Sequence, residues 1–270
     1  MNYDHSFHAG SFTDVFKHVV LMCLFEKLKI KDKAFCYLDT HAAYPYSDVN
    51  SVKAQRTQEA QQGIKKLWQG RKFSKKLNSY LLLIDQLNTN LKTKQRYYPG
   101  SGTFAALLKR PQDRLILNEL TDEPFQALKK FFRSDAHVHC HQQDAYQILK
   151  ALLPPKEKRG LVFIDPPYEN PNEFDTLLFH LTQALKLWPQ GVYALWYPIK
   201  EMRRIEIFAA RLAKAIDCPQ ENFICCPLPS DVGQRLSGSG MLIINPPWQI
   251  EQLVNPLIQE LCALFKEFNQ

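Results

Sequence analysis

Seven short apolar runs, separated by stretches of helical periodicity, leave this chain few folds to choose from. The strand-length runs cover residues 34–38, 114–118, 138–140, 161–164, 192–196, 223–226 and 241–244. Helical spacing fills the gaps, near residues 13–28, 104–108, 125–132, 146–152, 174–187, 202–215 and 253–268. Strands alternating with helices of this length predict an α/β fold, a mostly parallel, doubly wound sheet covered on both faces. The last two runs are joined around residues 233–240, too short a link for a crossover helix, so the sheet is expected to finish in an antiparallel hairpin at one edge.

Composition narrows the class further. At 270 residues, 45% hydrophobic and 23% charged, the chain can bury a substantial core and is not disordered. Its start, MNYDHSFHAG, has neither a basic region nor an apolar core, so no signal peptide is expected. No run approaches membrane-spanning length. The seven cysteines are odd in number and show no C-x-x-C spacing. A reduced, cytoplasmic protein without a structural metal is the expectation.

The net charge of +7 is unevenly placed. Between Val52 and Tyr97 stand eleven basic residues, among them Lys65, Lys66, Arg71 and Lys72, against Glu59 and Asp85. That stretch carries +9 and the remainder of the chain −2. A concentrated basic segment with helical patterning around Ile64, Leu67, Trp68 and residues 80–87 suits contact with nucleic-acid phosphates. The organisation expected is therefore residues 1–51 as the first helix and strand, 52–97 as a basic helical insertion, and 98–270 as the rest of the main domain.

In an open α/β sheet, ligands bind beyond the carboxyl ends of the strands. There the chain places Asp39-Thr40-His41, Glu119, Asp144 and Asp165 after four successive parallel strands. An acid after the second strand suits ribose hydroxyls, and one after the third suits an adenine amine. One such acid alone is commonly a helix cap; four in order point to a crevice. The fourth opens Asp165-Pro166-Pro167-Tyr168. Its carboxylate and the Pro166 carbonyl can accept the two hydrogens of an exocyclic amine. The prolines fix the backbone near φ −65°, and Tyr168 offers a ring face to the base.

Taken together, several segments resemble the bacterial ribosomal RNA large-subunit methyltransferase J (RlmJ) family. They are Tyr3, His5 to Gly10, Asp14 with Lys17-His18, Asp39 to Ala42, Arg96 to Ser101, Asp165 to Tyr168, Ala194 to Pro198 and Asn245 to Trp248. The resemblance spans essentially the whole chain. It implies a Rossmann-like class I S-adenosylmethionine-dependent methyltransferase fold, seven-stranded with an antiparallel final strand and a small helical insertion after strand one. It also implies methylation of the N6 amine of one adenine in 23S ribosomal RNA. Carried over by position, the cofactor contacts would be His18, His41, Ser101, Glu119, Asp144, Ala145 and Asp165, with Tyr3 on the RNA side. Lys17 joins Lys65, Lys66, Arg71 and Lys72 as a candidate substrate contact. Protein-free or early-assembly 23S RNA would be the partner of a monomeric enzyme that needs no metal and no membrane.

Two departures stand out. Ala43 and Pro45 occupy the loop after Asp39 where the family has glycines, and Ala145 follows Asp144 where glycine is usual. A stiffer cofactor loop is expected, since Ala and Pro lack the freedom of glycine.

Some features compete with this reading. Asn245-Pro246-Pro247-Trp248 matches the amine-methylating pattern but follows the last strand, so a structural role is expected. His137, His139 and His141 share one strand face, yet no carboxylate or cysteine completes a metal set nearby. Trp196 and Tyr197 read as core and crevice wall. Methylation of adenine in DNA would use the same tetrapeptide and methyl donor. A protein that only binds nucleic acid, linked to the use of external DNA, is a third reading, favoured by the glycine-poor loop.

Overall fold

The computed structural model describes residues 7–70, 72–93, 95–199, 202–219, 222–229 and 238–266. Tyr3 and Arg71 lie outside the described residues, as does the link between the last two strands. Five parallel strands form the body of the sheet: β1 (Cys36–Asp39), β4 (Arg114–Asn118), β5 (Val138–His141), β6 (Gly160–Ile164) and β7 (Val192–Ile199). Beyond them β9 (Gly238–Ile244) runs antiparallel between β7 and β8 (Phe223–Pro229), giving the order β5-β4-β1-β6-β7-β9-β8. The expected edge hairpin is present, with its second strand on the inner side. Because β1 pairs with β4 on one flank and β6 on the other, strand order reverses there. The crevice therefore opens at the carboxyl ends of β1 and β6.

Side-chain alternation sorts the core into two layers. Tyr37, Leu115, Leu117, Leu161, Phe163 and Ala194 face one way, toward α1 (Phe12–Lys29), α5 (Ser101–Leu108), α6 (Asp122–Phe131) and α10 (Ile250–Lys266). Leu38, Ile116, Val162, Ile164, Tyr193 and Leu195 face the other way, toward α7 (Ala145–Leu152), α8 (Glu173–Leu187) and α9 (Met202–Ala215). Period-two alternation within strands apolar on both faces is what a doubly covered sheet requires.

Helix α1 is capped by Ser11, whose hydroxyl accepts the Asp14 amide at 3.3 Å. Its middle is enclosed on every side: Val15, Phe16, Val19, Val20, Leu21 and Leu24 are all buried, as are the polar Asp14, Lys17 and His18. A helix with apolar residues on every side must sit inside the protein. This one does, packed against α5, α10 and β9.

After β1 the chain enters the insertion through a ribbon the periodicity had not revealed. β2 (Tyr46–Asp48) pairs antiparallel with β3 (Tyr97–Pro99), and α2 (Val52–Thr57), α3 (Ile64–Gln69) and α4 (Lys75–Asn90) lie between them. Asn88 pins α4 to β3, donating to the Tyr97 carbonyl at 2.9 Å and accepting the Tyr97 amide at 2.8 Å. Ile64, Leu67, Leu77, Tyr80 and Ile84 are buried in the same apolar cluster as α1. The insertion is thus built onto the main core. No helix among the described residues is long and apolar enough to cross a membrane.

Candidate active site

A cavity of about 370 Å³ opens at the carboxyl edge of the sheet. Its walls bring together residues from every strand end singled out in the sequence: His41, Ser101, Glu119, Asp144, Ala145 and Asp165, with His18 from α1. Carboxylates dominate its polar lining, for Asp14, Glu123 and Glu173 face it as well.

Each anchor is held in place. Asp39 lies fully buried beneath the cavity, where its carboxylate accepts Tyr37 Oη at 2.9 Å, Ser101 Oγ at 2.6 Å and the His41 amide at 3.2 Å. Burial pushes its carboxyl up to about 6, against the pull of those three donors. His41 is set by Thr40, whose Oγ1 lies 2.8 Å from Nδ1, and burial pushes its imidazole below the ordinary value. Glu119 accepts the Ala43 amide at 2.9 Å through one oxygen and the Thr121 amide at 2.8 Å through the other. Asp144 caps α7, with Oδ1 accepting the amides of Tyr146 and Gln147 at 2.9 and 3.0 Å. Both cap bonds fall on Oδ1, so Oδ2 can turn to a ligand.

The loop after Asp39 shows what its composition asks of the backbone. Ala43 adopts φ 51°, the left-handed conformation that glycine would take freely. The loop is also pressed against Gly100, where an added Cβ would stand 2.2 Å from the Tyr44 carbonyl oxygen. The Gly100 amide donates to the Pro45 carbonyl at 2.9 Å. The glycine geometry is therefore kept by an alanine, at a cost of about 1 kcal/mol. Ala43→Gly should raise the melting temperature by about 2 °C, measured by calorimetry, while retaining the Glu119 bond. An unchanged or lowered melting temperature would mean that the strain is absent.

Around the tetrapeptide the structure places one residue the sequence had pointed elsewhere. Lys17, expected as a substrate contact, is buried beside Asp165, with Nζ 2.6 Å from Asp165 Oδ2 and 3.1 Å from Asp14 Oδ1. The Lys17 and Asp14 side chains are only 5% and 2% exposed, too deep to meet a phosphate. The ammonium also lies 4.6 Å above the Trp196 ring, a favourable cation–π contact. Pro167 lines the cavity. Tyr168, at φ 52°, donates its hydroxyl to the Trp196 carbonyl at 2.6 Å. Its ring packs on Phe174 and Trp196 and borders a smaller adjoining cavity with Glu173 and Arg204.

The basic segment divides. Lys66 is buried, and its Nζ donates to the Phe265 carbonyl at 3.2 Å, so it ties α3 to α10 and does not present its charge to a polyanion. That corrects its expected role. Lys65 is half-buried and Lys72 exposed, together with Lys53, Arg56, Lys75, Lys92 and Arg96. Arg96 stacks over Trp68 at 4.8 Å.

Sequence reasoning named Asp14 within a motif without giving it a role, and missed the aromatic neighbours of His18. His18 packs against Tyr98 and Phe104, with ring centroids 5.3 and 5.0 Å away. It also missed Tyr146, whose hydroxyl donates to Glu173 at the cavity wall. The signal for Asp14 was its spacing three residues before Lys17 on a helix, which puts the two on one face. The rival motif is structural. Asn245 donates to the Pro189 and Gly191 carbonyls at 2.7 and 2.8 Å, and it follows the antiparallel β9, at the opposite sheet edge from Asp165.

Comparison with known proteins gives the family. A family model described as "Ribosomal RNA large subunit methyltransferase D, RlmJ" matches residues 32–266. The ribosomal RNA large subunit methyltransferase J of Escherichia coli is 37% identical, covering 96% of this chain and 91% of its own. That of Haemophilus influenzae is also 37% identical, covering 97% and 92%. A crystal structure of a Legionella pneumophila protein superposes with a TM-score of 0.86 at 32% identity, covering 97% of this chain and 95% of that one.

Proposed function

The chain belongs to the ribosomal RNA large subunit methyltransferase J family, and we propose that it methylates the exocyclic N6 amine of an adenine in 23S ribosomal RNA. It is a methyltransferase of the S-adenosylmethionine-dependent kind. When bound, S-adenosylmethionine supplies an electrophilic methyl group on a sulfonium. The cavity fits such a donor: its size suits a ligand of that class, and its carboxylates suit a cation. Glu119 would receive the ribose hydroxyls, Asp144 Oδ2 the donor's adenine amine, and His18, His41 and Ser101 the methionine end.

One observation carries the reading. Asp165 faces the cavity with Oδ2 already taken by Lys17, which leaves Oδ1 as the acceptor for one hydrogen of the target amine. The Pro166 carbonyl would take the second hydrogen. Held that way, the amine nitrogen is drawn out of conjugation with its ring and presents its lone pair to the methyl group. Positioning of this kind is worth several kcal/mol. Asp165 then receives the proton that the methylated nitrogen releases. A paired adenine must first leave its helix, at a cost of about a few kcal/mol, and the exposed lysines and arginines of the insertion would hold the flanking phosphates.

The test is transfer of isotopically labelled methyl groups to protein-free 23S RNA and, separately, to duplex DNA. Labelled N6-methyladenine in the RNA digest alone is the expected result. Label in DNA alone would replace the substrate, and no calorimetric binding of S-adenosylmethionine would remove the enzymatic reading altogether.

A further inference from the structure

A buried chain of three polar groups runs from the insertion to the cavity wall. Tyr80 Oη, on α4, lies 2.7 Å from Tyr98 Oη, on β3. Tyr98 Oη lies 2.9 Å from His18 Nδ1, on α1. Tyr80 is 0% exposed and Tyr98 1%, so water cannot complete either hydroxyl. Burial pushes both phenols above their ordinary value and keeps their protons on.

Three proton arrangements satisfy the two contacts. In one, His18 Nδ1–H donates to Tyr98, Tyr98 donates to Tyr80, and the Tyr80 hydrogen points at nothing. Among the described residues Tyr80 Oη has Tyr98 as its hydrogen-bond partner, so this arrangement strands a buried donor. In the second, Tyr80 donates to Tyr98 and Tyr98 donates to Nδ1, with every hydroxyl hydrogen used. In the third, Tyr80 and His18 Nδ1–H both donate to Tyr98, whose own buried hydrogen is then stranded. The second arrangement is the stable one. It makes Nδ1 an acceptor and puts the imidazole proton on Nε2. The Tyr98 and Phe104 rings pack against the imidazole within 12° and 11° of parallel and hinder it from turning over.

We infer that Tyr80 and Tyr98 are positioning residues that lock His18 into its Nε2–H tautomer, so that it donates to the carboxylate of the methyl donor. This deepens the proposed function and rests on it for the ligand. It also gives the insertion a second duty, since Tyr80 belongs to α4: the element expected to hold RNA orients a group in the donor site.

The closing experiment has two readouts. The first is a long-range proton–nitrogen NMR spectrum of the full chain labelled at histidine, recorded without cofactor. Wild-type His18 should show a protonated Nε2 and a bare Nδ1. Tyr80→Phe removes the donor that sets the direction and should let both tautomers appear. The second is calorimetric affinity for S-adenosylmethionine. Tyr98→Phe should weaken it about tenfold and Tyr80→Phe about threefold, with affinity for an RNA fragment unchanged. As a further check, His18→Gln, which places an amide near Nε2, should retain more donor affinity than His18→Asn. A proton on Nδ1 in the wild type would overturn the inference. So would a Tyr80→Phe spectrum and affinity identical to wild type, a variant whose conservative change spares the fold. A wild-type chain that binds no S-adenosylmethionine would instead sink the functional reading, while the spectrum still decides the tautomer.

Discussion

Asp165→Asn should yield a folded protein that binds S-adenosylmethionine and transfers its methyl group about 10³-fold more slowly. The size of the loss follows from Lys17. Its ammonium sits 2.6 Å from Asp165 Oδ2 and demands an acceptor there. An asparagine must therefore turn its amide oxygen to Lys17, which points its NH₂ at the substrate. A donor then faces the N6 hydrogens where an acceptor is needed, and the group that would receive the released proton is gone. Asn is thus expected to be as damaging as Ala, although it preserves the volume. Stability should barely move. Lys17 keeps Asp14 as a partner at 3.1 Å, and Asp39, which the Asp165 charge pushes upward, loses a like-charged neighbour. Single-turnover methyl transfer at saturating donor, with calorimetry for donor affinity, measures both halves. A rate within tenfold of wild type would take the chemistry away from Asp165.

How much of this site could be read from the chain depends on how many residues a feature spans. Arg114–Asn118 and Met202–Ala215 are found where their periodicity places them, because each repeats its pattern long enough to be unambiguous. The acids at the strand ends follow from the topology, which turns a one-dimensional list into a ring around one crevice. The β2–β3 ribbon escapes because three residues per strand, half-buried in β2, carry no period. Lys66 is misread for a different reason. Charge counting treats every lysine in a basic stretch as solvated, yet Lys66 stands between Ile64 and Leu67, on a short helix docked against α10. Its long stem reaches a carbonyl that a shorter side chain could not. Lys17 was more legible than it looked. With Val15, Phe16, Val19 and Val20 buried around it, this stretch of α1 has no outer face, so a lysine in that run must find buried acids. His18's tautomer, by contrast, depends on Tyr80 and Tyr98, far along the chain, and no local pattern announces it.

Lys17→Met should be the most destabilising single change at the site. Methionine resembles the lysine stem in shape, so the packing against Trp196 largely survives and the loss isolates the charge. What remains is Asp14, 2% exposed at its side chain, and Asp165, 17% exposed, both deprived of the ammonium they share. Breaking a buried ion pair from one side costs about 3–5 kcal/mol, because the orphaned charge is left without solvent. In a chain of this size the melting temperature should fall on the order of 10 °C. Methyl transfer should fall about 10²-fold, since Asp165 loses the group that fixes which oxygen meets the substrate. The double variant Lys17→Met with Asp165→Asn separates charge from packing. Removing the second carboxylate leaves one carboxylate, Asp14, to lose the ammonium, so the pair should melt above Lys17→Met alone, a non-additivity of about 1–3 kcal/mol. Additive losses would show that Lys17 contributes by filling space, and the electrostatic account of Asp165 would fall with it. Recovery of stability without recovery of activity is the expected pattern, because the same carboxylate that strains the fold when unpaired is the one the reaction needs.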